Sequence, residues 1–153
     1  MEDGFTEIDD YACANCPNLT KVVLSCNLQA MGQGIFNDCT SLTSIRIPKS
    51  LKSIPFFAFQ GCVGLQELII EDGVEEIRDG AFKDCCNLTS VTIPDSVRNI
   101  GENAFRGCCD LMSVTLPDSV RNDIGIYAFT GCPNNMEINA CESIKRIIQR
   151  QIQ

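Results

Sequence analysis

The sequence predicts an α/β repeat solenoid: 23-residue turns with a parallel β-sheet on one face, short second strands, helical or 3₁₀ turns, and a C-terminal amphipathic helix cap. Three observations carry this prediction. Phe36, Phe59, Phe82 and Phe105 stand 23 residues apart, and Phe129 follows after 24 because Asp123 is inserted. Cys16, Cys39, Cys62, Cys85, Cys108 and Cys132 keep the same step, as do Leu19, Leu42, Leu65, Leu88 and Leu111. An aliphatic row runs through Ile8, Met31, Ile54, Ile77, Ile100 and Ile124. Rows that share one period of this length mark stacked repeats, each burying its apolar face only against its neighbours.

The unit Leu88 to Asp110 shows how each element arises. Val91 and Ile93 alternate with Ser90 and Thr92, the period-2 pattern of a strand with one buried face. Pro94 lacks a backbone donor and ends that strand, and Asp95-Ser96 supplies turn chemistry. Val97 and Ile100 point back into the column from a second extended piece. Residues 102–107 read as one helical or 3₁₀ turn that places Ala104 and Phe105 in the core before Gly107 closes it.

On this register the solenoid occupies 1–141, with a partial unit 1–18, full units 19–41, 42–64, 65–87, 88–110 and 111–134, and a partial unit 135–141. Residues 1–12 align with 70–81, so the chain opens inside a unit; either the array extends further or another chain covers that end in an end-to-end contact. In 142–153, Ile144, Ile147, Ile148 and Ile152 fall at helical spacing opposite Lys145, Arg146 and Arg150. That pattern predicts an amphipathic capping helix, with a docking helix for a partner as the alternative.

The pattern LxxVxIPxSVxxIGxxAFxGCxxL resembles the BspA-like class of leucine-rich repeat from Met1 to about Cys141. Cys13 stands where the class has Phe, Ile35 where it has Ala, and Ser25-Cys26 where it has Pro and a polar residue, so irregular units are expected there. The resemblance implies a non-catalytic protein-binding module. It also implies adhesion and binding of extracellular matrix proteins, as for surface proteins of that class.

A formal charge of −8 argues against nucleic acid or anionic lipid as partner, since such binding rests on Lys and Arg neutralising phosphate. No apolar run approaches the ~20 residues that span a bilayer, so no membrane insertion is expected. Met1 to Asp10 lacks a positively charged start and an apolar core, and the eleven cysteines are odd in number and mostly on one repeat position. These features predict reduced core thiols and a cytoplasmic location, or a cell-surface one if the chain is part of a longer protein.

Other cysteine patterns compete with plain packing as explanations. Cys13 and Cys16 have CxxC spacing, but zinc needs further ligands and the chain has no histidine. Cys86 and Cys109 are equivalent positions one repeat apart, where a separation of about 5 Å permits a disulfide. Two free thiols beside the column is the plainer reading. Nucleophilic cysteine chemistry lacks its usual base, and no phosphate-binding or nucleophile-elbow motif is present, so no enzyme and no cofactor is expected. Asp72, Asp95 and Asp118 could line up for calcium, but Lys49 interrupts the row.

The candidate binding face consists of the outward strand positions: Lys21, Val23, Ser44, Arg46, Glu67, Ile69, Ser90, Thr92, Ser113 and Thr115, continued by Glu137 and Asn139. The expected partner is a protein. A spacer with no ligand of its own is the competing reading.

Overall fold

The structure is a computed structural model and describes residues 5–153. Along one face run β3 (Ser44–Ile47), β5 (Glu67–Ile70), β7 (Ser90–Thr92), β9 (Ser113–Thr115) and β10 (Glu137–Asn139). A second row holds β1 (Glu7–Ile8), β2 (Ala30–Met31), β4 (Ser53–Ile54), β6 (Glu76–Ile77) and β8 (Asn99–Ile100). All pairs are parallel and in the predicted register, Ile45 opposite Leu68, Val91 opposite Val114 and Ile77 opposite Ile100.

The sheets are interrupted where the repeat chemistry changes. Gly32, Arg78, Gly101 and Gly125 donate across to the preceding turn, but Pro55 has no N–H to give Met31, and β2 and β4 are unpaired. On the other face β5 and β7 are not laddered; Pro94 stands where Glu71 donates to Ile47. The inserted Asp123 follows a 3₁₀ turn, Asp118–Val120, and leaves only the bridge between Ile100 and Ile124.

The core is a set of ladders. Rings of Phe36, Phe59, Phe82, Phe105 and Phe129 stack at 5.3–5.4 Å between centroids, each buried with an Ala or Ile beside it. Each burial is worth about 1.5–3 kcal/mol, and the offset stack adds to it. Cys39, Cys62, Cys85, Cys108 and Cys132 form a buried thiol row. Cys16, expected in that row, is exposed, because among the described residues no turn packs on its far side. Cys13 takes the phenylalanine place half-buried, its N–H donating to Ile35 as those of the phenylalanines donate to the next turn.

The segments carrying the phenylalanines keep only part of the helical or 3₁₀ turn expected of them, since alternate donors alone make its i→i−3 bonds. Phe57, Phe59 and Gly61 donate their N–H groups to Asp79, Ala81 and Lys83 of the next turn, while Ala58, Gln60 and Cys62 donate back to Pro55, Phe57 and Phe59. A helix would aim every donor along its own axis and leave the neighbouring turn unbonded. The alternation needs left-handed residues, and Tyr11, Gly34, Phe57, Gly80, Asn103 and Tyr127 adopt φ of 54–63° at one position. Phe57 lies over Gly80, where a Cβ would meet its ring at 2.5 Å.

At the C-terminal end α1 (Glu142–Ile152) buries Ile144, Ile148 and Ile152, with Ile147 half-buried. It also takes the place of a further turn. Gln151 Oε1 accepts from Phe129 N–H at 3.0 Å, and Gln151 Nε2 donates to Gly125 O at 3.0 Å.

Phe82→Ala is expected to cost about 3–5 kcal/mol in denaturant titration; an unchanged midpoint would mean the ring column is not the core. Gln151→Ala should cost about 1–2 kcal/mol and speed hydrogen exchange at the Phe129 amide selectively.

Candidate functional site

The pleat sends alternate side chains of β3 and β5 outward, and the register sets Ser44 beside Glu67 and Arg46 beside Ile69. Lys21 bridges to Ser44, but pairing stops there, and residues 22–24 form no strand. The departure falls just before Ser25-Cys26, in the unit expected to be irregular. It opens a depression of about 390 Å³ between residues 21–26, β3 and β5. Val23 stands 82% exposed at its edge, and Arg46, Glu67 and Ile69 line it.

Six of the ten predicted positions therefore meet in one place: Lys21, Val23, Ser44, Arg46, Glu67 and Ile69. Ser90, Thr92, Ser113 and Thr115 lie together on the second sheet, Ser90 opposite Ser113 and Thr92 opposite Thr115, with Glu137 and Asn139 beyond. The break between β5 and β7 separates the two groups.

Glu71 also lines the depression and was not among the predicted positions, although it continues the outward alternation of Glu67 and Ile69. Its Oε2 accepts the Lys49 backbone N–H at 3.0 Å, and its Oε1 pairs with Arg46 Nη1 at 3.3 Å. The Lys49 N–H first, and Arg46 with it, hold the Glu71 carboxyl below its usual range. An exposed pair of this kind orients Arg46 more than it stabilises the fold.

The thiols divide by environment. Each column thiol donates to a carbonyl at the phenylalanine position one turn back, as Cys62 does to Phe36 O at 3.1 Å and Cys85 to Phe59 O at 3.3 Å. Burial pushes Cys62 and Cys132 up to about 12 and Cys39, Cys85 and Cys108 above their usual value. Cys86 and Cys109 lie outside the column with sulfurs 3.5 Å apart. Asp72 is engaged by the Ser96 N–H at 3.2 Å. Among the described residues no group of three or more His, Cys, Asp or Glu side chains is placed to hold a metal ion, and no helix is long and apolar enough to cross a membrane.

A column of parallel-strand turns about 23 residues long, opened by leucine and closed by a phenylalanine-cysteine turn, defines a leucine-rich-repeat solenoid. The chain belongs to the BspA type leucine rich repeat family, whose profile matches residues 6–136 in six copies. A leucine-rich repeat protein from Bacteroides ovatus has a similar structure, with TM-score 0.84 and 28% identity over 97% of this chain. The chain spans 38% of that protein's length. The T. pallidum leucine rich repeat protein matches with TM-score 0.77 and 28% identity, covering 99% of this chain and 79% of the other. A leucine rich cell surface protein from Faecalibacterium prausnitzii matches with TM-score 0.61 and 26% identity, covering 88% of this chain and 42% of the other. No curated protein matches the sequence.

The raised column thiols carry a pH signature. Their folded-state values lie above those of the denatured chain, so their contribution is complete below the ordinary thiol value of 9.0 and is lost as pH rises through the folded values, about 12 for Cys62 and Cys132. Stability should fall above pH 9 by roughly 1.4 kcal/mol per pH unit for each such thiol. Urea titrations at successive pH values in reductant check this, and a slope unaltered in Cys85→Ala would contradict it. Glu71 has the opposite sign: the Arg46 pair persists as pH falls through the ordinary glutamate range and opens only below it. A carboxyl NMR titration of Glu71 should therefore show a midpoint lower than in the urea-denatured chain.

Proposed function

We infer that the chain is a non-catalytic recognition module that binds a protein partner at the depression between residues 21–26, β3 and β5. The observation that carries this is the placement of exposed Val23 and half-buried Ile69 among Lys21, Arg46, Glu67 and Glu71. Apolar surface framed by both signs of charge suits a protein surface, where aliphatic contact supplies affinity and charge sets orientation. An Arg held by Glu71 loses less freedom on binding than a free one.

A cell-surface role is the second reading. It is supported by similarity to the Faecalibacterium prausnitzii protein, described as a leucine rich cell surface protein, and by the matrix binding that the BspA-like resemblance implies. Under that reading the same depression meets an extracellular protein.

The test is an immobilised-chain binding screen against arrays of intracellular and matrix proteins, repeated with Arg46→Ala/Glu67→Ala and with Ser113→Ala/Thr115→Ala. The first pair should weaken capture of any hit at least tenfold, roughly 1.4 kcal/mol or more, and the second should leave it unchanged. Equal capture by both variants would move the interface elsewhere, and absence of any hit would favour a spacer.

A further inference from the structure

Cys86 and Cys109 fill one repeat position in successive turns, each directly after a column thiol. Cys85 and Cys108 point into the core, so the next residues point out, and stacking then brings the two outer side chains together. Their Sγ atoms are 3.5 Å apart, and no other pair of thiols among the described residues makes such a contact. Both sulfurs also share one acceptor, Gly107 O, at 3.4 Å from Cys86 and 3.1 Å from Cys109. The positions flanking the pair along this row are Val63 and Pro133, so the thiols have no competing sulfur on either side.

We propose that Cys86 and Cys109 are an inter-turn cross-linking site, which a low-molecular-weight disulfide such as glutathione disulfide closes. The sulfurs must approach by about 1.5 Å to reach a bond of about 2.05 Å, a change within side-chain rotation for residues on adjacent turns about 5 Å apart. Cys109 is exposed and meets the oxidant first. As thiolate it attacks one sulfur of glutathione disulfide, forming a mixed disulfide and releasing one glutathione thiolate. Cys86 then loses its proton to solvent and attacks Cys109 Sγ, which expels the second glutathione thiolate. The two protein thiols are oxidised, one glutathione disulfide is reduced to two glutathione, and the two protons lost by the protein are taken up by the leaving thiolates.

The order of events follows from the surroundings. Burial, and after it the contact with Cys109, holds Cys86 above the usual thiol range, and its half-buried position makes it the second of the two to meet the oxidant. The column thiols are excluded by burial and by their bonds to carbonyls. The bond would tie the loop entering β7 to the loop entering β9 and reinforce the middle of the array.

The full chain, purified in reductant, is equilibrated with glutathione disulfide at pH 8, quenched with N-ethylmaleimide and digested with trypsin. Cleavage after Lys83, Arg98, Arg106 and Arg121 puts Cys85 and Cys86 in peptide 84–98, and Cys108 and Cys109 in peptide 107–121. The expected result is a linked 84–98/107–121 pair, with Cys86 and Cys109 unalkylated and a mass two hydrogens below the sum of its two peptides, and a Tm higher by roughly 5–10 °C. The link should vanish in Cys109→Ser and in Cys86→Ser and persist in Cys85→Ala. A glutathione adduct on Cys109 with Cys86 still alkylated, no linked peptide in the wild type, or a link that survives Cys109→Ser would each overturn the proposal.

Discussion

Each turn of this column is completed only by the next, because alternate N–H groups of the phenylalanine segment are directed at the neighbouring turn. That arrangement fixes the register that the side chains then exploit. Once Phe59 N–H is bonded to Ala81 O, the rings of Phe59 and Phe82 must stack, and the Cys85 thiol falls on Phe59 O. Backbone pairing, ring stacking and thiol bonding are one geometric consequence repeated along the chain. It also makes ends expensive, since a terminal turn leaves donors or acceptors open. Gln151 answers this at one end with a side-chain amide that both accepts and donates, as a peptide group of a further turn would.

The column was legible in the sequence because its rows are strict: a residue that must meet its own equivalent 23 positions on leaves a period that no other fold needs. The strand faces were legible from simple alternation. The phenylalanine segment was not, because GxxAFxG looks helical by spacing while its backbone turns left-handed twice, as at Asn103 and Gly107. Gly34, Gly61, Gly80, Gly107 and Gly131 mark some of these places, but Tyr11, Phe57 and Tyr127 take positive φ without the usual residue type. Cys16 was misplaced for a related reason, since burial in a stack depends on the neighbour and not on the residue.

The candidate site was half legible. Outward positions follow from the pleat, but period alone treats all turns alike. What distinguishes the first strand positions is a failure of the repeat, where pairing ends at Lys21 and a depression opens under Val23 and Ile69. The candidate depression and the paired outer thiols share this logic. Both sit where one turn departs from its neighbours, at Ser25-Cys26 in one case and at the doubled cysteines in the other, while the regular positions are consumed by the core.

Amide hydrogen exchange read residue by residue tests the inter-turn bonding most directly. Slow exchange is expected at Phe57, Phe59, Gly61, Gly80, Phe82, Asp84, Asn103, Phe105 and Gly107, with protection equal to that of β5 and β9, since all of these donors point into the next turn. Fast exchange across those segments, with protection confined to the strands, would show that the turns are held by side-chain packing alone and would contradict it.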